Sequence, residues 1–167
     1  MGISTADDTN ARGAVAVTGD GTDDGTDDLA EFIQAIVDQH GFMNWLDLQI
    51  AEVSEGRAVL ELPYREELGN PATGSIHGGL LATLVDTASG MAIQTTFEEF
   101  GATGLTTTDM SVSYVRPARS DVRAEAEVVR VGGSMAVTEV EVSGVAPGGE
   151  RKTVVVGSTS FRLFRSD

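Results

Sequence analysis

A chain of 167 residues with 41% hydrophobic content is long enough for one domain with a buried core. It has no cysteine and only two histidines, which excludes disulfides, thiolate nucleophiles, cysteine-type zinc sites and any multi-histidine metal site. The net charge is −15, from 26 acids against 11 bases, and Lys152 is the single lysine. No basic patch is visible, so no nucleic-acid partner is expected. Acids in the body as well as the N-terminus suggest a halophilic protein, because high salt screens self-repulsion. No apolar run reaches the length of a membrane span, and no basic-then-apolar leader opens the chain, so the expected compartment is the cytoplasm, with no membrane partner.

Residues 1–28 are rich in Asp, Gly and Thr and are expected to form an acidic, disordered tail, leaving 29–167 as a single domain. Asp20 to Glu31 resembles a calcium loop, with Gly25 in sixth place and Glu31 in twelfth. Thr22 in third place and Asp27 in eighth argue against it, and a solvated tail is the better account. An amphipathic helix is predicted over 29–39, with Leu29, Phe32, Ile33, Ile36 and Val37 on one side. Thr26, Asp27 or Asp28 caps its start, Gly41 ends it, and His40 sits at its C-terminal end. Two strands, 46–54 and 57–63, turn at Glu55-Gly56.

Asn70-Pro71-Ala72-Thr73-Gly74-Ser75-Ile76 reads as a loop. Leu80, Leu81, Leu84, Val85, Ala88, Ala92 and Ile93 then recur at helical spacing, to about Phe97. Four strands follow, at 104–115, 121–131, 135–145 and 151–164, with turns at Gly132-Gly133 and Pro147-Gly148-Gly149. In the second of these, Asp121, Arg123, Glu125 and Glu127 alternate with Val122, Ala124, Ala126 and Val128, giving one wet and one dry face. The predicted class is α+β: an antiparallel, curved sheet of about six strands wrapped around one long central helix, with an extra helix at the N-terminus.

The central helix begins near His77-Gly78-Gly79. Its first amides lack partners within the helix and carry the positive end of the dipole. Glycine lets another molecule approach that backbone, and a carbonyl oxygen placed there would be polarised. Further along, Asp86 shares a face with Ala82, Thr83, Ser89, Gly90 and Ile93. Taken alone, that stripe is more simply a solvated acid on a helix surface. No Gly-x-Ser-x-Gly elbow and no phosphate-binding glycine motif is present.

Asn70…Gly74-x-x-His77-Gly78-Gly79, then Leu84-x-Asp86-x-Ala88, then Thr106-Thr107-Thr108-Asp109 leading to Tyr114-Val115-Arg116-Pro117-Ala118, resembles the hotdog-fold acyl-CoA thioesterases of the phenylacetate-pathway type. The resemblance covers roughly residues 40–165. It implies the hotdog fold, hydrolysis of acyl-CoA to acid and coenzyme A, and no metal or cofactor. Gly78 and Gly79 would hold the oxyanion. Asp86 would activate water or attack as a nucleophile, and the two routes stay open. Asn70 would hold the nucleophilic water or the thioester, or simply make an Asn-Pro turn, and the family has one residue fewer between it and the His; His77 would orient and brace the loop or hydrogen-bond the thioester. Thr107 aligns with a hydroxyl that positions water, and Asp109 reads as structural. Arg116 and Arg119 would meet coenzyme A phosphates or solvent. Phe42, Met43 and Trp45 would line the acyl pocket or pack in the core.

Gly78 and Asp86 are about 12 Å apart along one helix, so one carbonyl cannot touch both. The site must pair Gly78 of one subunit with Asp86 of another, in a homodimer or dimer of dimers with antiparallel central helices. Aryl or arylacetyl thioesters come first as substrates, medium-chain acyl groups second. The rivals are a non-catalytic acyl-CoA sensor and a hotdog dehydratase.

Overall fold

The computed structural model describes residues 25–164. The order is α1 (Gly25–Gln39), α2 (Gly41–Trp45), β1 (Gln49–Ser54), β2 (Arg57–Leu62), a 3₁₀ turn (Glu66–Leu68), α3 (Gly78–Gln94), β3 (Gly104–Tyr114), β4 (Val122–Val131), β5 (Met135–Val145) and β6 (Arg151–Phe164). The strands form one six-stranded antiparallel sheet in the order β1-β2-β4-β5-β6-β3. The expected architecture, α3 packed within the sheet, is present. No helix among the described residues is long and apolar enough to cross a membrane.

Alternation along β4 turns Val122, Ala124 and Ala126 into the core. With Ala58 of β2 they keep the inner face shallow, so α3 seats closely. Leu84, Val85, Ala88 and Ala92 of α3 are fully buried, and burying a leucine of this kind contributes about 2 kcal/mol. Val85 of α3 sits closely over Gly157 of β6. A Cβ on Gly157 would lie 3.0 Å from both Val85 Cγ1 and the Ser111 carbonyl oxygen.

A chain of buried hydroxyls fixes the next turn. Thr138 Oγ1 donates to Ser89 Oγ at 2.7 Å, and Ser89 Oγ donates to the Val85 carbonyl at 2.7 Å. The 2.6 Å contact between Thr138 and Thr159 then takes its proton from Thr159. This splits the face expected around Asp86. Ser89 and Ile93 are fully buried against the sheet, while Ala82, Thr83 and Asp86 stay half-buried on the open side.

Several boundaries differ from the sequence expectation. The first helix starts at Gly25, so Asp27 and Asp28 lie in its first turn, where they favour the dipole instead of capping it. Gly25 to Glu31 is therefore helix and not part of a calcium loop; residues 1–24, which hold the rest of that pattern and most of the expected tail, lie outside the described residues. Ile36 falls at the edge of the apolar stripe and is 42% exposed. The first helix ends at Gln39, just before Gly41, as the sequence suggests, but Gly41 also opens the short α2, and β1 starts at Gln49 rather than at 46. His40 caps α2, its Nδ1 accepting the Met43 amide at 3.5 Å. The central helix ends at Gln94, because Thr95 and Thr96 donate their hydroxyls to the carbonyls of Ala92 and Ile93 at 2.7 and 2.8 Å.

The two sheet edges are treated differently. On β1, the Gln34 side chain of α1 donates to the Leu48 carbonyl at 3.1 Å and accepts the Ile50 amide at 2.7 Å. That covers part of the edge. On β3, one side pairs with β6 and the other faces outward, with exposed residues along most of its 11 positions.

Candidate active site

The loop before α3 is strapped at both ends. The Asn70 amide donates to the Ser75 carbonyl at 2.8 Å, and the Thr73 and Gly74 amides donate back to the Asn70 carbonyl at 3.1 and 2.8 Å. Gly74 has φ of 63°, which favours glycine, and Tyr64 O–H donates to its carbonyl at 2.9 Å. The Ile76 amide bonds the Ala118 carbonyl at 2.8 Å and the His77 amide bonds the Leu68 carbonyl at 2.9 Å. The start of α3 is thereby held against the chain that follows β3.

His77 is the N-cap of α3. Its Nδ1 accepts the Gly79 amide at 3.0 Å, which assigns the ring proton to Nε2. The Leu80 and Leu81 amides bond the His77 carbonyl at 2.9 and 3.4 Å. Gly79 was expected as a second oxyanion donor, but its amide is taken by the cap. The Gly78 amide is left without a hydrogen-bond partner among the described residues. Gly78 lines a cavity of 370 Å³ with Asn70, Ser75, Leu81, Tyr114 and Arg116. Tyr114 O–H donates to the Gly78 carbonyl at 2.8 Å, and a Cβ on Gly78 would come within 3.2 Å of that ring. A side chain at position 78 would therefore press on the Tyr114 ring. Tyr114 was quoted in the family motif, but nothing in its spacing gave it a role.

Asp86 sits two turns further along, half-buried. Thr107 Oγ1 donates to its Oδ1 at 2.6 Å. The helix places the acid and the edge strand places the hydroxyl, so this pair lies at the open β3 edge. The register of β3 against β6 shifts between Thr107 and Asp109. This bulge inserts one residue, and Thr108 Oγ1 bonds the Ser160 carbonyl at 3.0 Å.

Of the remaining expected residues, Asn70 shares the Gly78 cavity, its side-chain amide making only a long 3.4 Å contact to the Ser75 carbonyl. Arg116 donates to the Thr153 carbonyl at 2.8 Å, and Arg119 to the Thr73 carbonyl at 2.9 Å. Asp109 is exposed. Phe42 and Trp45 are 46% and 56% exposed, so neither is a core residue within one chain, whereas Met43 packs against the core. The Trp45 ring stacks under Arg65 at 5.5 Å. Among the described residues no group of three or more acids or histidines is placed to hold a metal ion.

The family model of the thioesterase superfamily matches residues 73–145. The chain is 44% identical over 147 residues to a Halobacterium salinarum protein named as an esterase, across 84% of this chain and 96% of that one. It is 36% identical to human acyl-coenzyme A thioesterase 13, across 74% of this chain and 87% of that one. The solved structure of the E. coli PaaI protein, from the phenylacetic acid degradation operon, is 22% identical and shares the fold at a TM-score of 0.67, across 80% and 91% of the two chains. The chain belongs to the thioesterase superfamily. Its fold is the hotdog fold and its reaction class is thioester hydrolysis.

Proposed function

We propose that the protein is an acyl-CoA thioesterase that works as a homodimer, or a dimer of dimers, with sites shared between subunits. One observation carries the reading. The unpaired Gly78 amide faces the cavity at the start of α3, while Asp86, bonded to Thr107 of β3, stands about 12 Å along the same helix, at a sheet edge open to a second copy. A two-fold axis beside Ala82, midway between them, brings each Gly78 to the partner's acid, and the small side chain allows the two helices to approach.

In such a site the Gly78 amide donates to the thioester oxygen and stabilises the oxyanion. Asp86 of the other subunit takes a proton from water as its oxygen attacks the carbonyl carbon, or attacks that carbon itself to form an anhydride that water then opens. Either way the C–S bond breaks, and the leaving thiolate takes up a proton. Asn70 and Thr107 orient the thioester and the water, and His77 holds the helix start. The 36% identity to human acyl-coenzyme A thioesterase 13 supports coenzyme A as the carrier. Aryl or arylacetyl groups are the first acyl class, medium-chain groups the second, and the cytoplasm is the compartment.

Thiol release from a panel of acyl-CoAs tests this. Wild type should turn over at least one, and Asp86→Asn should lose about 10²- to 10⁴-fold in kcat. Tight binding without turnover would support the sensor instead.

A further inference from the structure

Two glycines, Gly78 and Gly79, open α3. Glycine loses the most backbone freedom on entering a helix, so this pair makes a poor first turn by itself. Left untied, it would fray and the free Gly78 amide would point in no fixed direction. Two side chains oppose this, and their bonds meet on one peptide unit. Tyr114 O–H donates to the Gly78 carbonyl at 2.8 Å, and the Gly79 amide of the same peptide donates to His77 Nδ1 at 3.0 Å. The peptide is planar, so holding both of its ends fixes its plane. A bond at the carbonyl also polarises the unit and strengthens the N–H at the other end, so the phenol tightens the His77 cap. On the other side of Gly78, the His77 carbonyl accepts the Leu80 amide at 2.9 Å. With the peptides on both sides of its Cα tied, the Gly78 amide is held in one direction.

The phenol is itself firmly mounted. Tyr114 is the last residue of β3 and pairs with Val155 of β6. The Val115 and Arg116 amides that follow both bond the Val154 carbonyl, at 2.9 and 3.3 Å. The ring stands beside the free amide in the wall of the 370 Å³ cavity. Yet it is 54% exposed, so it adds little to the core, and an exposed hydrogen bond adds little to stability. What its hydroxyl does control is the start of the helix.

We infer that Tyr114 is a positioning residue of the reaction: through the Gly78–Gly79 peptide its hydroxyl aims the Gly78 amide at the thioester oxygen before substrate arrives. A donor fixed in advance needs no reorganisation as charge develops on that oxygen. This rests on the thioesterase reading above and adds to it the group that holds the oxyanion donor in place. The effect belongs to the transition state more than to binding, because the amide interacts most strongly with the oxyanion.

Tyr114→Phe tests this, since it keeps the ring against Gly78 and deletes only the hydroxyl. On an acyl-CoA that wild type cleaves, kcat should fall about tenfold with KM within about twofold. The melting temperature should stay within about 2 °C of wild type. A spectroscopic readout separates aiming from bracing. In Asp86→Asn the thioester survives, so the infrared stretch of a ¹³C-labelled thioester carbonyl can be read when bound. It should move to lower wavenumber on binding, and most of that move should be absent in Asp86→Asn/Tyr114→Phe. Hydrogen exchange of the Gly79 amide, followed by NMR without substrate, reads the clamp itself. It should quicken about tenfold in Tyr114→Phe while amides in the middle of α3 keep their protection. Wild-type kcat and an unchanged carbonyl shift in the phenylalanine variants, with only Tyr114→Leu impaired, would assign the effect to the ring and overturn the inference. A melting temperature that falls along with kcat, the carbonyl shift being kept, would reduce Tyr114 to a brace and overturn it as well. If wild type cleaves no thioester while Gly79 exchange still responds to Tyr114→Phe, the clamp stands and the thioesterase reading falls.

Discussion

Thr107 of β3 and Asp86 of α3 share a 2.6 Å hydrogen bond, and a bulge makes it compatible with a second contact on the same strand. Tyr114, seven residues further on, bonds the Gly78 carbonyl at 2.8 Å. Residues an odd number apart on a regular strand point to opposite faces. The extra residue between Thr107 and Asp109 restores the phase, so one strand touches both Asp86 and Gly78 of one helix.

Removing the hydroxyl should therefore weaken chemistry more than folding. Thr107→Val keeps the shape and the strand propensity, leaves the carboxylate near solvent, and should lower kcat about tenfold, while Thr107→Ser stays near wild type. Steady-state kinetics beside thermal melts checks this; equal loss in Val and Ser variants would show that the methyl group matters, not the hydrogen bond.

Sharing of sites makes a sharper prediction. Gly78→Val, which drives a side chain into the Tyr114 ring, and Asp86→Asn should each be inactive alone. Unfolded together and refolded as a mixture, they should recover about a quarter of wild-type activity, because half the dimers are mixed and each mixed dimer has one intact site. No recovery, with mixed dimers shown by mass spectrometry to have formed, places both groups of a site in one chain.

Gly157 sets how deeply α3 seats. Gly157→Ala should cost about 1–3 kcal/mol in overpacking, seen as a lower melting temperature. Val85→Ala should recover only part of it, since it relieves the side chain at 3.0 Å but not the Ser111 carbonyl at the same distance. Full rescue would mean that the strand backbone yields freely.

On the outer face, Glu52 bonds Arg57 at 2.8 Å and also bonds Arg123, while Arg57 reaches Glu125 at 2.7 Å and Arg123 reaches Glu61 at 3.2 Å. Hydrogen bonds from Arg57 and Arg123 hold the Glu52 carboxyl below the usual glutamate range. A lowered folded pKa gives stability that is present above the unfolded value of about 4.3 and is lost as pH falls through the folded one. The groups are partly exposed, so Arg123→Gln should cost less than about 1 kcal/mol near neutrality, and that difference should shrink in melts below about pH 4. Across β4 and β5, Glu125 faces Glu141 and Glu127 faces Glu139, like-charge pairs that destabilise at low salt. Raising salt from about 0.1 to 2 M should raise the melting temperature, and a flat response would remove the case for a high-salt protein.

Local pattern carried most of the architecture. The period-two runs placed β4 and β5 within a residue, since a half-buried antiparallel strand writes its alternation into the chain, and the turn residues bounded β3 and β6. The apolar stripe from Leu80 to Ile93 marked α3, and His77-Gly78-Gly79 marked its start. The short α2 was missed because five residues cannot show a helical period, and Gly41 looked like a stop. Tertiary contacts decided the rest. Ser89 looked like part of an open small-residue face, but hydroxyls from two strands drew it inside. Gly79 offered the same backbone donor as Gly78 in sequence, and only the fold of His77 onto it took one amide and left the other.

The residues alone determined that there is a helix with an open N-terminus and an acid two turns along it, because both follow from spacing on a single element. Which hydroxyl meets Asp86 and which ring meets the Gly78 carbonyl depended on β3, a strand that follows the helix in the chain. Those pairings rest on one inserted residue in β3 and on the closeness that Gly157 permits, and neither writes a periodic signal into the sequence.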